Sequence, residues 1–94
     1  MKVDHPEARA ARIFSEIYAE MERGRALHPV WPKDLIHQVA IVAEEAGELV
    51  RAALHVRYEG GAVADVRTEA IQTGAMALRI LMEVPSAAGA EGEA

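Results

Sequence analysis

The fold is indicated by residues 34–83, which read DLIHQVAIVAEEAGELVRAALHVRYEGGAVADVRTEAIQTGAMALRILME. Apolar residues recur at intervals of three and four on both sides of Gly60-Gly61, which is the pattern of two amphipathic helices. On the first helix the apolar arc comprises Leu35, Val39, Val42, Ala43, Ala46, Leu49, Val50, Ala53 and Leu54. We expect one helix from about residues 32–34 to 58 and another from residues 62–66 to 83. Their turn is short, so they should run antiparallel.

A further helix is predicted ahead of this hairpin. Asp4 and Glu7 flank His5-Pro6 in a capping-box pattern, and Gly24 is a typical helix end, so we expect a helix between them. Residues 25–32, RALHPVWP, form a connector with two prolines. The sequence therefore predicts an all-α, three-helix chain of helix, loop and long helical hairpin. A single domain covers residues 1–84, and the small and acidic residues 85–94 form a disordered tail.

The composition predicts that this domain associates with itself. The chain has 94 residues, 51% hydrophobic but only 4% aromatic, with nineteen alanines filling the difference. Alanine forms helices well but buries little apolar surface, so a lone protomer has a thin core. We expect a helical bundle completed by oligomerisation, as a homodimer or homotetramer.

Charge and residue usage exclude several classes of function. With no cysteine, the chain forms neither disulfides nor thiolate metal sites. The net charge is −5 and the ten basic residues are scattered, which argues against nucleic-acid or membrane partners. No apolar run suits a membrane span and the first residues do not resemble a signal peptide, so we expect a cytoplasmic protein.

Acidic residues are concentrated at matching heights on the two hairpin helices. Glu44, Glu45 and Glu48 lie within just over one helical turn, and Glu69 lies about as far beyond the glycine turn as Glu48 lies before it. One face of the last helix carries Asp65, Glu69, Gln72, Met76, Arg79 and Glu83. Several carboxylates at one height form an oxygen-only site of the kind that Mg²⁺ or Mn²⁺ prefers. The alternative is a solvated acidic surface.

The other side of the last helix carries a row of small residues. Ala70, Gly74 and Ala77 are spaced about one turn apart, which allows another helix to approach closely. Glycine is unfavourable inside a helix, so Gly74 indicates such a packing contact.

The acidic pattern resembles that of the MazG-like family of all-α nucleoside triphosphate pyrophosphohydrolases. The family motif is Glu-Glu-x-x-Glu, a spacer, then Glu-x-x-Asp; here Glu44, Glu45 and Glu48 form the first half, and Glu69 begins the second after 20 intervening residues. The resemblance covers about residues 34–83. It implies hydrolysis of a nucleoside triphosphate to a monophosphate and pyrophosphate, in a nucleotide-pool or house-cleaning role. It also implies Mg²⁺ or Mn²⁺ as cofactor, with Glu44, Glu45 and Glu48 as catalytic and metal-binding residues and Glu69 as a further ligand.

One position departs from the family motif. Gln72 stands where the family has its closing aspartate. An amide oxygen can bind a metal but brings no charge, and Asp65, one turn earlier, either compensates or caps the helix. The alternative function is therefore a catalytically impaired MazG-like helical module that binds nucleotide or a protein partner.

Four residues outside the motif are candidates for substrate binding. Lys33, Arg51 and Arg79 either hold phosphate oxygens or balance nearby glutamates. Trp31 either stacks on a nucleobase or anchors the connector by packing.

Overall fold

A computed structural model describes residues 5–84 of the chain. These residues form three helices and no strand: α1 (Pro6–Leu27), α2 (Leu35–Glu59) and α3 (Val63–Glu83). The all-α prediction is thus confirmed, and the hairpin helices begin and end within a few residues of the predicted positions. None of the three is long and apolar enough to cross a membrane. The predicted tail, residues 85–94, lies outside the described residues.

Helix α1 differs from its prediction at both ends. His5 rather than Asp4 is the N-cap, and its side chain makes no capping hydrogen bond within residues 5–84, so the predicted capping box is wrong. Gly24 does not end the helix, because it packs near Met76 of α3 and its carbonyl accepts a 2.8 Å hydrogen bond from the backbone N of His28. The helix ends just before Pro29, because a residue that precedes proline disfavours helical geometry.

Helix α2 is bounded by the signals that the sequence provides. The Asp34 carboxylate accepts a hydrogen bond of 3.2 Å from the backbone N of Ile36, which makes Asp34 the N-cap. Gly60 has a φ of 70°, in the left-handed region that glycine adopts without strain. The backbone N of Gly61 donates to the carbonyl of His55, 2.9 Å away, and the chain then enters α3.

Helix α3 is the central element. It packs on both α1 and α2, while α1 and α2 do not pack on each other within residues 5–84. A Cβ at Gly74 would lie 3.3 Å from Cδ1 of Ile17, so α1 is the helix that approaches the predicted row of small residues. Met21 and Ala75 are the only fully buried hydrophobic residues within 5–84, so the core of one protomer is thin.

Helix α2 leaves part of its apolar arc exposed and turns polar residues inward. Gln38 is buried, where its Nε2 donates to the Pro32 carbonyl 2.8 Å away, and Glu45 is half-buried. Four residues of the predicted apolar arc are instead at least half exposed; we call Leu35, Val39, Val50 and Leu54 the α2 stripe. Helix α3 is the only helical neighbour of α2 within residues 5–84, so the apolar arc of α2 is not wholly covered.

A second apolar surface is open between α1 and α3. It is a groove of about 420 Å³ with almost no polar lining. It is lined by Phe14, Ile17, Tyr18, Gly74, Ala77, Leu78 and Leu81. Phe14, at one side of this α1/α3 groove, is 67% exposed. Two apolar surfaces are therefore left uncovered by residues 5–84.

Candidate functional site

Glu45 lies at the centre of a group of glutamates drawn from all three helices. Burial raises the pKa of its carboxyl, and the negative charges of Glu69, Glu48, Glu44 and Glu20 raise it further, in that order. We call these five residues the acidic cluster. The hairpin therefore brings the two halves of the acidic pattern together, with Glu45 rather than Glu48 as the member turned furthest inward.

Glu69 approaches this cluster from α3. Its side chain is half-buried, and its Oε2 atom is buried without a hydrogen-bond partner among the described residues. A buried carboxylate oxygen without a partner is costly, and a cation is the partner that satisfies it best. The carboxylate oxygens of Glu45 and Glu69 are thus of the ligand type that a hard divalent cation prefers.

The predicted ligand set is only partly assembled in one protomer. Within residues 5–84 no three acidic or histidine side chains converge closely enough to hold one metal ion. Glu44 and Glu48 are exposed, and Oε2 of Glu48 lies 3.6 Å from Nη1 of Arg51. The metal-binding roles of Glu44, Glu45, Glu48, Glu69 and Gln72 remain predictions.

Gln72 lies where two cavities meet. A cavity of about 200 Å³ places it beside Glu45, Glu20 and Arg23. A cavity of about 390 Å³ continues along α1 and α3, and shares Gln72, Glu20 and Arg23 with the first. Gln72 therefore faces the acidic cluster, as its position in the motif predicts.

Helix α1 contributes residues that sequence reasoning did not single out. Glu16, Glu20 and Arg23 share one face of α1 at intervals of four and three residues, and all three line the larger cavity. Arg67 of α3 lines it as well. The spacing of these three residues was only a weak indication of a site, because the sequence does not show which helix the polar face of α1 packs against.

The predicted substrate-binding residues lie elsewhere. Arg79 is 2% exposed and its guanidinium stacks on the ring of Trp31, with Cζ 4.4 Å from the ring centroid. Lys33 is exposed in the connector, and Arg51 is exposed on α2. None of the four lines the two cavities beside Gln72, so their contact with substrate remains a prediction.

Asp65 is exposed in the first turn of α3. Ala62 is the N-cap of that helix, and no side-chain capping bond forms there within residues 5–84, so the capping role considered for Asp65 is wrong. Its role as an accessory ligand remains a prediction. An acid in the first turn still favours the helix through the helix dipole.

Comparison with known proteins adds no family to this description. No family model matches the chain, and neither a curated protein nor a solved structure matches it significantly. The fold and the site define a small all-α protein with an acidic cluster between its helices.

Proposed function

We propose that this chain is a divalent-metal-dependent nucleotide pyrophosphohydrolase that converts a (deoxy)nucleoside triphosphate and water to the monophosphate and pyrophosphate. The observation that carries the proposal is the approach of Glu69 to Glu45. Burial and neighbouring charge disfavour the ionised carboxyl of Glu45, and Oε2 of Glu69 is buried without a hydrogen-bond partner among residues 5–84. A helical protein gains nothing in stability from such crowding. A cation-dependent activity on a polyanionic substrate explains why these carboxylates lie close together.

Each residue has a defined part in this proposal. The cation, Mg²⁺ or Mn²⁺, would be held by carboxylates drawn from Glu44, Glu45, Glu48 and Glu69 and by the amide oxygen of Gln72. When bound, the cation supplies charge neutralisation for the phosphates and lowers the pKa of a bound water. A glutamate left out of the coordination accepts the proton as the water oxygen attacks the α-phosphorus and the α–β anhydride bond breaks.

We further propose that the active form is a homodimer or homotetramer with α2 and α3 in the interface. The α2 stripe and the α1/α3 groove leave large apolar side chains in water, while the protomer buries little of its own apolar surface. Patches of this kind on a small protein mark association surfaces. A second copy is the occupant with the right chemistry, because the α2 stripe is itself apolar and pairs with its own counterpart across a two-fold axis.

The alternative is a MazG-like module that binds nucleotide or a protein partner without hydrolysis. Gln72 favours it, since the amide beside Glu45 and Glu20 brings no charge to the cation. The two functions differ in whether pyrophosphate is released.

Pyrophosphate release from a panel of NTPs and dNTPs, with Mg²⁺ and with Mn²⁺, tests the proposal. We expect activity in the wild type and its loss in Glu45→Gln and in Glu48→Gln, both still folded. Glu59→Gln is the matched control, because Glu59 is an exposed glutamate on the same helix, about 20 Å from Glu45 by helix rise. Normal turnover in both cluster variants contradicts the enzyme proposal. Cation-dependent nucleotide binding without turnover in the wild type supports the alternative.

A further inference from the structure

The larger cavity beside Gln72 contains a pair of arginines that neither the motif nor the resemblance assigns. Arg23 of α1 and Arg67 of α3 both line it, and Ala19 and Ile71 contribute apolar surface. The cavity continues past Gln72 into the smaller one beside Glu45. An elongated anion placed here has one end near the acidic cluster and the other near Arg67.

Both arginines are held by carboxylates of α1 in a two-bond arrangement. Nη1 of Arg67 donates to Oε1 of Glu16 at 3.0 Å, and its Nη2 donates to Oε2 of the same carboxylate. Nε of Arg23 donates to Oε1 of Glu20, also at 3.0 Å, and its Nη2 donates to Oε2. A phosphate group presents two oxygens to a guanidinium in the same geometry as a carboxylate. Each arginine can therefore exchange its glutamate for a phosphate and keep both hydrogen bonds.

Charge makes this exchange necessary for a polyphosphate to bind. The acidic cluster repels a triphosphate, and a divalent cation offsets only the part of the charge that it contacts. Lys33, Arg51 and Arg79 do not line either cavity, whereas Arg23 and Arg67 do. Arg23, beside the cluster, and Arg67, at the far end of the larger cavity, are thus the cationic side chains in reach of the phosphates.

We propose that Arg23 and Arg67 form a polyphosphate-binding subsite, in which Glu16 and Glu20 occupy the guanidinium groups until the β- and γ-phosphates of the substrate displace them. This inference rests on the proposed function, since it assigns the end of the nucleotide that leaves as pyrophosphate. It makes the α1–α3 ion pair Glu16–Arg67 a competitor of the substrate.

The test uses the full chain and inorganic tripolyphosphate with Mg²⁺, measured by calorimetry. We expect Arg67→Gln to weaken binding about tenfold, because one charge-assisted two-bond contact is lost. Glu16→Gln should tighten binding several-fold, because it frees Arg67. Both variants break the same interhelical ion pair. If Glu16 and Arg67 only held α1 against α3, both variants would therefore change the affinity for tripolyphosphate in the same direction. Arg57→Gln is the control, since Arg57 stacks on Tyr58 of α2, with Cζ 5.3 Å from the ring centroid.

Opposite changes in the two variants support the subsite. Equal changes, or none, overturn it. Nucleotide turnover separates this inference from the proposed function. If the wild type releases pyrophosphate and Arg67→Gln leaves KM unchanged, the subsite is wrong and the enzyme stands. If tripolyphosphate binds with the expected opposite changes but no nucleotide is hydrolysed, the subsite stands and the enzyme is wrong.

Discussion

The guanidinium of Arg79 lies over the indole ring of Trp31, with Cζ 4.4 Å from the ring centroid, and joins the connector to α3. Arg79 is 2% exposed, and its Nε and Nε1 of Trp31 are buried without hydrogen-bond partners among residues 5–84. Among residues 5–84 the ring of Trp31 lies against this buried guanidinium, and such a contact offsets part of the cost of burying the charge. The pair therefore fixes the position of the connector relative to α3.

This contact predicts unequal costs for its two partners. Trp31→Ala should lower the free energy of unfolding by about 2 kcal/mol. The change removes the packing of the indole ring and leaves the buried Arg79 guanidinium beside an empty space. Arg79→Met should cost about 1 kcal/mol, because the stem still packs on the indole while the cation–π attraction is lost. Urea unfolding followed by circular dichroism measures both. Val30→Ala, at the neighbouring and 87% exposed position, should cost almost nothing. Equal effects of Val30→Ala and Trp31→Ala would contradict the anchoring role.

The raised pKa of Glu45 predicts a pH-dependent stability. Between the ordinary glutamate value of 4.5 and the raised value, the folded state binds more protons than the unfolded state, so the free energy of unfolding falls as pH rises through that window. Glu45→Gln should remove this loss and stabilise the cation-free protein at pH 8 by about 0.2–0.5 kcal/mol, with little difference from wild type at pH 4. Urea unfolding at the two pH values measures it. Glu59→Gln serves as control, and a gain at pH 4 as large as at pH 8 would rule out the charge explanation.

Cation affinity should depend on the residue at position 72. Gln72→Asp adds a negative charge beside Glu45 and should tighten Mg²⁺ binding roughly tenfold, while Asp65→Asn should leave it unchanged. The wild type should need a higher Mg²⁺ concentration than Gln72→Asp to fill the site. The wild type should also work better with Mn²⁺ than with Mg²⁺. Calorimetric titration measures the affinities, and a rise in melting temperature with bound cation is an independent readout.

The other outcomes of this titration assign Gln72 differently. If Gln72→Asp binds the cation normally and loses turnover, Gln72 donates to the substrate, because an acid there repels the triphosphate. If it changes neither binding nor turnover while Asp65→Asn weakens binding, Asp65 is the partner of Glu69.

The α2 stripe predicts where association fails. Val50 is 58% exposed in the protomer, so Val50→Glu should alter the fold of one chain little. At an interface the same change buries an unpaired charge, and the variant should be monomeric where the wild type is a dimer or larger. Light scattering at micromolar concentration measures the mass. Val30→Glu, off the stripe and 87% exposed, should keep the wild-type mass. A wild type that is a stable monomer at this concentration contradicts the proposed assembly.

The helices of the hairpin, and the acidic residues that they bring to one height, could be predicted from local sequence patterns. Asp34 and Gly60 bound α2 through hydrogen bonds and backbone geometry that involve only near neighbours, so these signals can be read locally. The matching heights of Glu48 and Glu69 followed from helix rise and a short turn, whereas the inward position of Glu45 did not. The small side chain of Gly74 likewise indicated a close helix contact before the identity of that helix was known.

The direction in which each helix face turns depends on how the three helices pack together. A helical pattern fixes the angles between side chains on one helix but not the direction of the neighbouring helix. Packing on α3 alone therefore turned Gln38 and Glu45 inward and left Val50 exposed. The contact between Glu16 and Arg67 joins residues 51 positions apart, and no local signal in either helix specifies it. The acidic cluster was thus predictable in its α2 and α3 members, whereas its α1 member and the arginine-lined cavity arise from how α1 packs on α3.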